Sequence, residues 1–230
     1  MRTSLLFWLS LLAALAATTA RAQMGGGTGW ASCPVTFKLQ WPTNATQQQR
    51  YLFNDGIYHF RVFTNDGAFA VGNQTKPRTE QRFPDYSSGE IQYQSMEWAP
   101  SNENGYCIFQ IHTGNERTPE FGATQFMLFW FSDDGGSVYD YSKHKLASHL
   151  GNQWFQVNVD HDVDHRTIKV WINRQLVWTQ ECRDAGDFYF KDGVYEQWHN
   201  PSRQMDTYIT DIHIWARSNS IVSKLASTSH

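Results

Sequence analysis

The chain has 230 residues, with 19 Lys and Arg against 22 Asp and Glu, a formal charge of −3 at pH 7. With no basic run or basic helix, that balance excludes a protein that holds nucleic acid, or any polyanion, through its whole-molecule field. The length suits one domain with a full core, and no low-complexity linker or internal repeat divides it.

Arg2 precedes an apolar run from Leu5 to Ala17 that ends in Ala20-Arg21-Ala22 before Gln23. Residues 1–22 therefore read as a signal peptide, too short for a membrane span, so the protein is expected to be secreted and extracellular, with no membrane partner. Losing Arg2 and Arg21 leaves 17 basic residues against 22 acidic ones, a charge of −5. An acidic polymer can then be held only by a local cluster of Arg, Lys and His. Residues 23–218 form the expected domain, and the polar tail, 219–230, is expected to fray. Two sequons, Asn44-Ala45-Thr46 and Asn73-Gln74-Thr75, belong in surface loops. In an oxidising compartment the three cysteines predict one disulfide and one thiol; Cys107 and Cys182 are the expected pair, since Cys33 lies in a less constrained N-terminal segment.

From there the pattern is β throughout. Short runs rich in Val, Ile, Phe, Tyr and Trp alternate with turn clusters such as Asn65-Asp66-Gly67 and Asp133-Asp134-Gly135-Gly136. They predict strands at 58–64, 91–98, 107–112, 125–131, 154–159, 167–172, 176–180 and 208–216, hence an all-β antiparallel sandwich or barrel.

Three segments carry polar groups on one strand parity. In Arg78-Thr79-Glu80-Gln81-Arg82 the parity collects Arg78, Glu80 and Arg82. In Cys107-Ile108-Phe109-Gln110-Ile111-His112 it collects Gln110 and His112. In the stretch from Tyr189 to His199 it collects Tyr189, Lys191, Tyr195, Gln197 and His199. Taken singly, the first reads as an exposed salt-bridge ladder, the second as the wet face of a strand, and Tyr195 as a packed aromatic. Their joint occurrence, in this order, points elsewhere.

Together they resemble the signature strands of the alginate lyases of polysaccharide lyase family 7 and the related glucuronan lyases: Arg78-Thr79-Glu80-Gln81-Arg82, Gln110-Ile111-His112 and Tyr189-Phe190-Lys191-Asp192-Gly193-Val194-Tyr195-Glu196-Gln197. The resemblance implies a concanavalin A-like β-jelly roll, antiparallel sheets with a substrate groove on the concave sheet, and β-elimination in a uronic-acid polymer. Such chemistry must neutralise the uronate carboxylate, remove the C5 proton and protonate the leaving oxygen. By the family pattern Arg78, Gln110 and His112 serve the carboxylate, and Tyr195 is the acid. Tyr195 is also the base when proton and leaving group share a sugar face, His112 when they do not. Arg82, Lys191, Gln197 and His199 would hold neighbouring uronates, and Glu80 would orient the two arginines. Nearby cations would lower the Tyr195 pKa.

Gln81, in place of an apolar residue, falls on the core parity. Asp192, in place of Ala, is expected beside the site. Ile111, between Gln110 and His112, accompanies guluronate-containing alginate in the family. A monomer needing no cofactor is implied. Asp160-His161-Asp162-Val163-Asp164-His165 holds calcium-type ligands without a loop signature and reads first as a hairpin connection. The rival readings are a glucuronan lyase on the same fold and a non-catalytic carbohydrate-binding jelly roll. A retaining glycoside hydrolase would need a paired-carboxylate strand that is missing here.

Overall fold

A computed structural model describes residues 28–72, 74–113, 124–182, 186–198 and 200–217. Its strands are β1 (Ala31–Cys33), β2 (Lys38–Gln40), β3 (Tyr51–Asn54), β4 (Ile57–Phe63), β5 (Arg78–Arg82), β6 (Glu90–Trp98), β7 (Tyr106–Thr113) and β8 (Thr124–Phe131), followed by β9 (Ser137–Tyr139), β10 (Lys145–Ala147), β11 (Phe155–Asp162), β12 (Thr167–Ile172), β13 (Gln175–Glu181), β14 (Phe188–Glu196) and β15 (Gln204–Ala216). A four-residue helix, α1 (Gln47–Arg50), and one 3-10 turn at Asp133–Gly135 complete the described elements.

The strands form two antiparallel sheets, the sandwich that the strand pattern allows and the β-jelly roll that the resemblance implies. One runs β13-β12-β11-β6-β15-β4-β3, with β1 also on β15, and the other runs β10-β9-β8-β7-β14-β5-β2. Each predicted strand is present within a few residues of its expected bounds. The missed ones, β1, β2, β3, β9 and β10, have three or four residues each, too few for a period-two pattern to register.

Alternation explains the core. Phe60, Val62, Ile91, Tyr93, Val157 and Val159 from the first sheet meet Ile108, Phe109, Ile111, Phe126, Leu128, Phe188 and Phe190 from the second, all buried. The Tyr93 ring lies 4.8 Å from Phe109 and 5.9 Å from Phe190. A register shift of β7 against β8 between Cys107 and Phe109 sends both Ile108 and Phe109 inward. Cys107 thereby turns to the outer face, against Met127 and Phe129.

That geometry overturns the expected disulfide. Cys107 lies in this outer cluster, whereas Cys182 faces the inter-sheet core, its Sγ 3.4 Å from His161 Nε2; all three cysteines are thiols. His161 and Asp162 close β11, and residues 163–166 turn into β12, so this stretch is the hairpin connection expected of it. Asn44 is exposed in the turn before α1, and its Nδ2 donates to Asn65 O at 3.3 Å. Asn73, the leader and the tail lie outside the described residues.

Candidate active site

β14 lies between β5 and β7, and its register builds the site. Lys191 stands opposite Arg82 on one side and Gln110 on the other, while Tyr195 stands opposite Arg78 and Cys107, and Tyr189 opposite His112. Because the three strands share a parity, seven predicted residues fall in one row: Arg78, Glu80, Arg82, Gln110, His112, Lys191 and Tyr195. Gly193, across from Glu80, is required there: at φ +124° an added Cβ would stand 2.4 Å from Thr79 O. It leaves a notch without a side chain between Lys191 and Tyr195.

The centre of the row is buried, contrary to the exposed ladder that its first segment suggests taken singly. Glu80 and Lys191 are 2% exposed, Arg78 5% and Gln110 0%. Glu80 is the hub, accepting from Gln110 Nε2 at 2.5 Å, Lys191 Nζ at 3.2 Å and Arg78 at 3.4 Å. It does not orient Arg82, which binds Asp85 at 2.7 Å and stacks over the Tyr189 ring at 3.8 Å. Lys191 also donates to Gln40 Oε1 of β2 at 2.7 Å. Two buried cations thus share one carboxylate, so the cluster keeps excess positive charge for an anion. Among the described residues Arg78 Nε and Gln110 Oε1 have no partner although buried. The Arg78 guanidinium lies 3.7 Å from the Tyr195 ring centre and 4.9 Å from that of Phe69.

His112 and Tyr195 occupy opposite ends of the row. His112 Nδ1 lies 2.7 Å from Thr113 O and 2.9 Å from the Tyr189 hydroxyl. A backbone carbonyl only accepts, so Nδ1 carries the proton and the Nε2 lone pair is left for a substrate. Burial, then Lys191, push its pKa down to about 4, so the ring is neutral at pH 7. Tyr195 departs from expectation: burial outweighs the lowering effect of Arg78, and its pKa is raised. It rests as a proton donor. Burial lowers Lys191 to about 8 against the opposing pull of Glu80.

Gln197 follows the end of β14 and lies beside the Tyr195 hydroxyl. His199 lies outside the described residues. Asp192 corrects the reading above: it is not beside the site but faces the core, where the Tyr93 hydroxyl donates to it at 2.6 Å. Its cross-strand neighbour is Gln81, so the two departures from the family pattern are one buried pair. Sequence reasoning missed Gln40 and Phe69. Gln40 sits on a three-residue strand, and Phe69 in a loop with no periodicity to flag it.

Comparison with known proteins agrees with this architecture. A citrate-binding protein of Hevea brasiliensis is 30% identical over 198 residues, covering 84% of this chain and 80% of that one. An alginate lyase of Pseudomonas aeruginosa has the same fold at TM-score 0.62 and 17% identity, over 78% of this chain and 97% of that one. One from Corynebacterium sp. matches at TM-score 0.60 and 18% identity, over 80% and 98%. The alginate lyase family model matches residues 35–226, and the chain belongs to that family of polysaccharide lyases.

Proposed function

We propose that the protein is an exported, monomeric lyase that cleaves a uronic-acid polymer, alginate first among candidates, by β-elimination. The observation that carries this reading is Arg78: a buried guanidinium with an unpartnered Nε, stacked on the tyrosine expected to transfer the proton. Its free edge can take a uronate C6 carboxylate, and as charge builds on that group the pairing strengthens. With the sugar over the Gly193 notch, the C5 proton leaves for His112 Nε2 when it lies on the sugar face away from the leaving group. The C5–H electrons become the C4=C5 double bond, the C4–O bond breaks, and the Tyr195 hydroxyl protonates the departing oxygen. For proton and leaving group on one face, Tyr195 must first lose its proton, which its raised pKa makes costly at neutral pH. Ile111 faces the core and reaches substrate only through its strand. Gln197 and Arg82 lie at the two ends of the row, suited to flanking uronates.

The test is to incubate the protein with guluronate and mannuronate blocks, glucuronan and other polyuronates and to follow the ultraviolet absorbance of unsaturated ends. Product from at least one, lost in Tyr195→Phe, is expected. Binding of every polymer without product would leave a carbohydrate-binding protein. A second reading is favoured by one observation, the burial of Arg78 and Lys191 beneath Phe69: the same cations could hold a small polycarboxylate, in keeping with the citrate-binding relative. Citrate that binds tightly and competes with polymer would support it.

A further inference from the structure

Beyond Tyr195 the outer face of the second sheet opens into a cavity of about 420 Å³ lined by Trp198, Phe131, Tyr139, Lys143, Asp133 and Asn104, among others. We propose that this cavity is a further subsite, binding one uronate of the same polymer with its ring against Trp198 and its carboxylate at Lys143. The proposal rests on the lyase reading of the adjoining site.

Continuity is the first support. Tyr195, Phe131 and Tyr139 all pack on the cluster of Cys107, Met127 and Phe129, so the cavity floor and the proton donor share one aromatic surface. Trp198 stands three residues beyond Tyr195, its ring 5.6 Å from Phe129 and 5.0 Å from Phe131, near perpendicular to the latter. A polymer lying over the row would run on into this cavity.

The second support is that Trp198 is held in place. The backbone N–H groups of Gln197 and Trp198 both donate to Gly105 O at 3.1 Å, and Lys76 Nζ donates to Trp198 O at 2.7 Å. Gly105, at φ +86°, packs tightly under the indole, since an added Cβ would stand 3.0 Å from Trp198 Cβ and 3.0 Å from Pro201 Cα. An indole fixed before binding loses little freedom when a sugar stacks on it.

Charge is the third. Lys143 sits in a turn at φ +69°, where its N–H donates to Asp140 O at 3.1 Å, and its Nζ lies 5.0 Å from the Trp198 ring centre. Among the described residues no carboxylate pairs with it. Asp133, the acidic wall of the cavity, is already answered by Lys145 at 2.6 Å and the Tyr139 hydroxyl at 2.5 Å. What remains for a ligand is an aromatic wall beside one unpaired ammonium, which matches the apolar ring face and single carboxylate of a uronate. The volume lies within the roughly 300–1,000 Å³ of small-molecule sites. None of these side chains has a part in the elimination.

The experiment measures kcat and KM for wild type, Trp198→Ala, Trp198→Phe and Lys143→Ala on oligouronates from trimer to polymer, at two ionic strengths. Retention of the same variants in polymer-containing gels is read in parallel. Trp198→Ala should raise KM about tenfold on long chains and leave the shortest cleaved oligomer unchanged, with Trp198→Phe intermediate. Lys143→Ala, at an exposed position, should raise KM on long chains and reduce its salt dependence. Wild-type KM on every length in Trp198→Ala and Lys143→Ala, while the wild type cleaves polymer, overturns the subsite and leaves the lyase reading standing. If the wild type cleaves nothing, the lyase reading fails and gel retention decides the cavity: loss of retention in Trp198→Ala supports a sugar site, and unchanged retention overturns it.

Discussion

At the scale of single residues, Tyr195 and Arg78 divide the work. Tyr195→Phe should abolish turnover and keep polymer binding, because only the transferable proton is lost; wild-type turnover would make Tyr195 a packing residue. Arg78→Lys keeps a charge but loses the planar fork, and should lower kcat roughly 10²–10³-fold with a smaller change in KM. Full kcat in that variant would reduce Arg78 to a groove cation. The pH profile of kcat/KM should rise as His112 loses its proton near 4 and fall as Lys191 loses its own near 8. Lys191→Arg should move the alkaline limb upward, and a limb that stays in place would show that another group sets it. Strand parity made this row legible in the sequence. It did not show that Lys191 is a buried partner of Glu80 rather than a cation screened by solvent, because burial depends on what other strands and Phe69 place around it.

At the scale of elements, the packing of β14 against β5 rests on Glu80 and Gly193. Glu80→Ala leaves Arg78 and Lys191 buried without their carboxylate and should cost about 3–5 kcal/mol; Glu80→Gln, which keeps an acceptor, should cost less. Gly193→Ala must push its Cβ into Thr79 O and Glu80 Cα, parting the strands that carry Arg78 and Tyr195. Its urea midpoint and its kcat should fall together; an unchanged midpoint would mean that β5 yields freely. Parity puts position 192 with Phe190 and Val194 on the inner face, where the structure has it; charge, not parity, carried Asp192 to the wrong place, because a carboxylate in the core is costly until Tyr93 from the facing sheet supplies a donor.

Over the whole molecule, buried ionisable groups set opposing pH limbs of stability. Burial raises Asp192 from 3.8 to about 8, and Asp160 and Glu103 also to about 8. The fold holds these protons more tightly than the unfolded chain, so their contribution is full below about pH 4 and is lost as pH rises toward 8. Burial lowers His112 to about 4 and His161 to about 3, from 6.5. The unfolded chain then binds protons that the fold refuses, and stability falls as pH drops below 6.5. Urea midpoints measured across pH should show both limbs. Asp192→Asn, which can still accept from Tyr93, should flatten the alkaline one; an unaltered limb would assign it to other groups.

What the sequence by itself determined is local and repetitive: the alternation that defines the longer strands, the shared face of Arg78, Glu80, Gln110, His112, Lys191 and Tyr195, and the order of the three segments. Side-chain direction along a strand has a period of two, so it needs no partner to be read. The tertiary structure decided everything that depends on which strands meet. It made Glu80 a buried hub, separated Cys107 from Cys182, joined Gln81 to Asp192 in the core, and set Lys143 beside Trp198. Each of these pairs residues far apart in the chain, whose distance is fixed by sheet register and by the closure of one sheet over the other, and neither is encoded in any single strand.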